Sequence, residues 1–349
     1  MTPWRSIELG NVVTFQRGFD LPHRHRKMGC VPIVSSAGVT DHHDVAMVSP
    51  PGVVTGRYGT IGELFYLEGP FWPLNTTLFV RDFHGNDPRF AFYLLHLFDF
   101  QVFSGKSGVP GVNRNDLHAE RVTIPTDVAE QSAIASALSD VDALLSSLDA
   151  VIAKKRDIKQ AAMQQLLTGK TRLPGFGGAW ELKRVGDVLT IRHGKDQKAV
   201  MSSSGQYPIL ATGGQIGWAK QWLYNRPSVL IGRKGTIDRP QYMDQPFWTV
   251  DTLFYSELKS KNVAKYFYYR FCLIDWLQYN EASGVPSLNA RTIETIELAC
   301  PEPEEQTAIA EVLSDMDAEL AALEARRDKT RLLKQGMVQE LLTGKTRLV

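Results

Sequence analysis

Residues 166–173 and 341–348 are the same eight, LLTGKTRL, and Gly-Lys-Thr is the triplet that holds phosphate in nucleotide-binding loops. Such a loop also needs a glycine five residues ahead of the Gly-Lys pair and a strand leading in. Gln164 and Gln339 stand at that place behind helix-forming sequence, so neither copy reads as a nucleotide site. Other chemistry is equally absent from the sequence. GRYGTIG, at residues 56–62, spaces its glycines by three and has no pyrophosphate logic, and SPPG at 49–52 does not supply the Asn/Asp-Pro-Pro-aromatic motif of methyltransferases. No G-x-S-x-G elbow or H-E-x-x-H helix occurs. His23, His25 and the DHHD run at 41–44 could ligate a metal, but they sit in polar loops without matching cysteines or helical spacing. Solvated loops is the reading preferred. We therefore expect no catalytic residue, no metal and no cofactor in this chain.

Composition sets the remaining bounds. A length of 349 residues with 43% hydrophobic content suits two ordinary domains with their own cores. The net charge of +1 gives no global bias towards nucleic acid, although local patches set the field at a groove. Cys30, Cys272 and Cys300 form no C-x-x-C pair, so neither a disulfide framework nor a zinc ribbon is expected and a reducing compartment fits. The opening MTPWRSIELG has no apolar signal core, and no run approaches 18 apolar residues. The expectation is a cytoplasmic protein without membrane contact.

Repetition organises the chain. Residues 130–173 and 305–348 share 26 identities over 44 positions without a gap. Both begin E-Q-[ST]-A-I-A, pass through L-S-D-x-D-A and close on LLTGKTRL. The preceding segments match at an offset of 176: GRYGTI at 56–61 with GRKGTI at 232–237, and PFW and SGVP each recur. The expected division is a first head over 1–126, a spacer helix over 127–173, a linker over 174–179, a second head over 180–301 and a second helix over 302–349.

The constant segments read as helices. Ile134, Leu138, Val141, Leu145 and Leu148 step by four and three along one seam, as do Ile309, Leu313, Met316, Leu320 and Leu323. Glycine after Leu-Leu-Thr suits a left-handed cap. Each helix starts acidic and ends basic, so antiparallel pairing sets acid beside base. About 40 residues at ~1.5 Å rise make a rod of some ~60 Å. The alternative is that each helix packs on its own head. The fold class expected is α+β: two mixed heads in tandem, joined by two long helices in an antiparallel coiled coil with an approximate two-fold axis.

Within the heads, short β-branched and aromatic runs broken by glycine and proline read as a small mixed sheet. Each head also has an aromatic-rich helix, from Arg89 and from Val263, whose aromatics recur at i, i+3 and i+4 as core rather than as stacking platforms. Binding is the remaining function. Loop-borne cations gather at Arg17, Arg24, Arg26, Lys27, Arg57 and Lys106, and again at Arg192, Lys195, Lys198, Lys220, Arg233 and Lys234. Cations suit phosphates, and polar side chains on rigid turns suit base edges.

The duplicated EQ[ST]AIA…LSDxDA…LLTGKTRL segments, with GRKGTI…PFW and SGVPSLN, resemble the specificity subunit of Type I restriction-modification systems over essentially the whole chain. The resemblance implies two target-recognition domains on conserved spacer helices, binding double-stranded DNA. It also implies two methyltransferase (modification) subunits as partners and, for cleavage, restriction subunits; S-adenosylmethionine, ATP and Mg would be held by those partners. Two unlike heads would read an asymmetric target in two halves, in grooves about one turn (~34 Å) apart, with the helices setting the gap. The residues expected near DNA are Arg17, Arg57, Tyr58, Lys106, Ser107, Asn113 and Arg114 in the first head, and Arg192, Lys195, Arg233, Lys234, Ser283, Asn289 and Arg291 in the second. A non-DNA two-headed interaction scaffold is the alternative that near-neutral charge favours. Leu144, Val151, Ile158 and Leu332, apolar positions on the outer helix faces, are candidates for partner docking, with intramolecular packing as the alternative.

Overall fold

The computed structural model describes residues 3–104 and 111–348. The chain divides into two compact units, Met1–Asp149 with Ala325–Val349, and Ala150–Glu324.

In the first unit β1 (Trp4–Glu8) leads to β2 (Thr14–Arg17), the hairpin β3 (Val31–Ser35) and β4 (Gly38–His43), then β5 (Gly52–Gly56), β6 (Leu64–Leu67), β7 (Trp72–Pro73) and β8 (Thr77–Asp82). Helices α1 (Pro88–Leu95) and α2 (Arg114–Ala119), strand β9 (Arg121–Pro125) and the long α3 (Val128–Leu166) follow. The main sheet has the antiparallel order β2-β8-β5-β6; β4-β3-β7 makes a smaller sheet, and β9 returns to pair with β1. The wholly buried β5, Gly-Val-Val-Thr-Gly, is a central strand covered on both faces. Phe15, Val53, Leu78, Phe90, Leu94 and Phe100 fill the core between the sheet and α1.

The second unit repeats this plan. It runs β10 (Glu181–Arg184), the single turn α4 (Val185–Val188), β11 (Leu189–His193), β12 (Tyr207–Ala211), β13 (Gly214–Ala219), β14 (Ser228–Gly232), β15 (Gln241–Met243), β16 (Trp248–Thr249) and β17 (Leu253–Leu258). Then come α5 (Ala264–Phe271), α6 (Ala290–Thr295), β18 (Glu297–Cys300) and α7 (Pro303–Leu341). Its sheets are β11-β17-β14-β15, β13-β12-β16 and β10-β18, the same pairings in the same order.

The aromatic helices are shorter than their apolar runs. After Leu95 the backbone tightens, His96 and Leu97 donating to Tyr93 and Leu94, and Asp99 then caps a new 3-10 turn over Phe100–Phe103 through the Gln101 N–H. Asp275 does the same ahead of Trp276–Tyr279. The aromatics themselves are core, Phe90, Tyr266, Phe267 and Phe271 being fully buried.

Each long helix gives one half to each unit, and within a unit the two halves run antiparallel. In the first unit Lys334 meets Asp142 at 2.6 Å and Arg331 meets Asp149 at 3.5 Å. In the second, Lys159 pairs with Asp317 and Lys155 lies 2.7 Å from Glu319. Acid does sit beside base. The seam has two kinds of position. Ile134 and Leu138 belong to the first head's core together with Leu341 and Leu342 from the end of α7, while Ile309 and Leu313 join Met163, Leu166 and Leu167 in the second. Val141, Leu145, Met316, Leu320 and Leu323 are half-buried, and Leu148 is buried.

The repeated octapeptide is a structural latch. Gly344 and Gly169 take φ +74° and +71°, ending their helices in the left-handed region. A Cβ on either would press an indole, 3.0 Å from Trp4 or 3.3 Å from Trp180. Three residues on, Arg172 donates from Nε and Nη2 to the buried Glu305 at 2.6 and 2.5 Å, and Trp180 Nε1 donates to the same carboxylate at 3.1 Å. Arg347, Glu130 and Trp4 repeat the arrangement, with Arg347 Nη2 2.6 Å from Glu130 and Trp4 Nε1 at 3.2 Å. Next to each glutamate, Gln131 and Gln306 receive a head N–H, from Asp87 at 2.8 Å and Val263 at 3.0 Å. The E-Q and T-R-L motifs therefore fasten helix ends to heads.

Candidate nucleic-acid interface

Both heads form a cleft at corresponding positions, built on the GR[YK]GTI turn. In the first head Arg57 and Tyr58 donate their N–H groups to Thr76 O at 2.8 and 3.1 Å, while Arg57 O accepts from Val112 N–H at 3.0 Å. In the second, Arg233 and Lys234 donate to Thr252 O at 2.8 and 3.3 Å, and Arg233 O accepts from Leu288 N–H at 2.9 Å. These bonds engage both N–H groups of the dipeptide and its first carbonyl, which fixes the turn that carries the side chains. Glycine is required before the dipeptide: a Cβ on Gly56 would lie 1.7 Å from Thr60 O, and on Gly232 2.1 Å from Thr236 O. Gly59 and Gly235, at φ +79° and +90°, complete the turn.

The first cleft, 420 Å³, brings together Arg17, Arg57, Tyr58, Asn113, Arg114 and Asn115. The Arg57 guanidinium lies over the Tyr58 ring, 4.5 Å from its centroid, a cation–π contact that helps hold it in place. Arg114 reaches back to Phe15 O at 3.3 Å. Tyr58 also explains Gly111, since a Cβ there would lie 2.2 Å from the ring; the second head has Lys234 in place of the tyrosine and tolerates Ser287 in place of the glycine.

The second cleft, 210 Å³, is lined by His193, Arg233, Lys234, Glu281, Ser287 and Asn289. Asn113 and Asn289 serve first as helix caps, their Oδ1 atoms accepting from Asn115 and Arg291 N–H at 3.0 Å. The Asn113 amide nitrogen donates in turn to Asp116 at 2.9 Å.

Other expected residues lie apart from this lining. Arg192, on β11, is paired with Glu257 at 2.8 Å, and that carboxylate holds its guanidinium above the ordinary value. Lys195 is exposed just beyond β11, where its carbonyl accepts from Trp248 Nε1 at 2.9 Å. Ser283 and Arg291 are exposed. Lys106 and Ser107 fall outside the described residues. Asn115, Glu281 and Ser287 line the clefts without having been singled out from sequence, whereas His193, set at the place of Arg17 by the offset of 176, lines the second cleft. Of the local histidines, His43 is buried and accepts from Lys27 N–H at 3.1 Å through Nδ1. Among the described residues no group of three His, Cys, Asp or Glu could hold a metal, and no helix is long and apolar enough to cross a membrane.

Repeated heads, each with a polar cleft and fastened to paired helices, define a tandem two-domain protein. The family model of the Type I restriction modification DNA specificity domain matches residues 1–155 and 178–332, and the chain belongs to that family. It is 23% identical over 164 residues to the Type I restriction enzyme EcoDI specificity subunit of Escherichia coli, covering 47% of this chain and 37% of that one. It is 25% identical over 178 residues to the MjaVIII specificity subunit of Methanocaldococcus jannaschii, covering 47% and 42%. These matches span less than half the length of the relatives. Among solved structures, the Type I restriction-modification S subunit from M. genitalium superposes with a TM-score of 0.72 at 14% identity, over 97% of this chain and 96% of that one. A chain from a study of complex assembly and conformational transition of the type I R-M system gives 0.55 at 16% identity, over 99% and 100%. At such identities the likeness concerns fold.

Proposed function

We propose that this chain is the sequence-reading subunit of a Type I restriction-modification complex, each head reading one half of a bipartite duplex target. The observation that carries the reading is the pair of corresponding clefts, where a clamped turn presents Arg57 and Tyr58 in one head and Arg233 and Lys234 in the other. A rigid turn bearing cations supplies both phosphate attraction and base-edge hydrogen bonds at little ordering cost. Because the cleft linings differ, the half-sites should differ. The long helices would set the gap between them, and exposed Leu144, Val151, Ile158 and Leu332 would receive the modification subunits, which would carry the methyl-transfer chemistry.

Selection of duplexes from a randomised library by the full chain, alone and with modification subunits, tests this. The expected result is one asymmetric motif of two fixed half-sites around unspecified bases, with affinity falling steeply as salt rises through counterion release. Enrichment of no sequence, or binding indifferent to salt, would sink it.

A further inference from the structure

A carboxylate sits where a cleft built for phosphate should have none. Glu281 lines the second cleft with Arg233 and Lys234, and a negative charge there weakens the attraction for a DNA backbone. Its place is nonetheless fixed with care. The Glu281 N–H donates to Ser287 O at 3.0 Å, and Asn280 Oδ1 ties the same loop by accepting from Ala282 and Ser287 N–H at 3.1 and 2.9 Å. Thr292 Oγ1, on α6, donates to Glu281 Oε1 at 2.5 Å. Among the described residues Oε2 has no hydrogen-bond partner, and neither Arg233 nor Lys234 forms an ion pair with the carboxylate. In the first head the sequence has Gly105 at the corresponding position, and the described lining of that cleft has three arginines and no carboxylate.

Phosphates and sugars offer a carboxylate little reason to be present, whereas bases do. In the major groove the donors are the exocyclic amines of cytosine and adenine. Adenine carries the N7 acceptor beside its amine, which repels a carboxylate oxygen; cytosine has a ring C–H there. The guanine paired with that cytosine presents O6 and N7, which take a cation. Glu281 and Lys234 in one cleft therefore match the two edges of a single C·G pair.

Resting on the DNA-reading function proposed above, we infer that Glu281 is a specificity-determining residue that accepts from cytosine N4, with Lys234 on the guanine of the same pair. In the described lining of the first cleft no carboxylate stands at this place, so the same pairing is not available there.

The test is library selection by the full chain and by Glu281→Gln, with binding to the selected duplexes measured at fixed salt. The amide keeps the shape and an oxygen for Thr292, but turns the other end into a donor. The expected outcome is that one position of one half-site loses its preference for cytosine by about tenfold or more, while the rest of that half-site and all of the other are retained. The retained half-site reports that the variant is folded. An unchanged cytosine preference overturns the assignment, and so does loss of the whole half-site, which would make Glu281 a loop support only. A wild-type motif lacking cytosine in that half-site also overturns it while leaving DNA reading intact. Enrichment of no sequence by the wild-type chain removes the underlying function itself.

Discussion

Arg57 and Arg233 occupy the same clamped turn, but their side chains are held differently, by a tyrosine face in one head and by Asp251 O at 3.3 Å in the other. If Arg57 meets phosphate, Arg57→Ala should weaken duplex binding about tenfold and reduce the slope of log K against log salt by about one. Unaltered affinity in a salt titration would remove Arg57 from the interface. A second residue-scale contrast concerns the strand beneath each cleft. Phe15 N–H donates to His118 Nε2 at 2.9 Å, whereas the corresponding Ile191 N–H donates to Glu294 at 2.8 Å. Burial, aided by Arg114 and His84, holds the His118 imidazolium pKa below the ordinary 6.5. Above that value both folded and unfolded chains hold it neutral. Below it the unfolded chain binds the proton more readily, so the first head loses stability as pH falls from about 6.5. His118→Gln, which keeps an acceptor, should flatten that acid limb in unfolding midpoints taken from pH 7.5 to 5; an unchanged limb would place its origin elsewhere. Sequence alone reached the turn residues because they recur at a fixed offset. It did not reach Glu281 or the role of Gly111, because a carboxylate in a loop and a glycine under a ring become meaningful only once Gly111 is set against Tyr58 and Glu281 is bonded to Ser287.

At the scale of elements, the long helices were legible in period, composition and charge, and their antiparallel sense followed from acid facing base. What the seam hid is that its first positions face the heads. A heptad step records that one side is apolar, not which neighbour covers it. Likewise LLTGKTRL was legible as a cap, but its arginine's partner lies more than a hundred residues away in sequence. The latch should matter because removing the buried Glu305 carboxylate leaves the Arg172 guanidinium and the Trp180 indole N–H without their acceptor. Glu305→Ala should lower the unfolding midpoint by roughly 5 °C or more, and the cap variant Gly344→Ala should cost about 1–2 kcal/mol from its φ alone. Differential scanning calorimetry separates these from surface controls such as Lys170→Ala, for which a shift as large as that of Glu305→Ala would deny the latch its role.

At the scale of the whole chain, sequence order and folding unit part company. The first head's core takes Leu341 and Leu342 from the last helix, and its latch takes Arg347, so the unit at the N-terminus is completed by the residues at the C-terminus. The second unit takes its corresponding parts, Leu166, Leu167 and Arg172, from the middle of the chain. Removing residues 325–349 should therefore damage the distant head and spare the adjacent one. Exposing Leu341 and Leu342 positions in the core leaves cavities of the kind that cost about 2–5 kcal/mol for each large side chain lost, a large part of a single domain's stability. Hydrogen exchange on the truncated chain should show β5 and β8 losing protection while β14 and β17 keep theirs. If instead the second head opened first, sequence neighbourhood rather than the shared core would be what holds each head together.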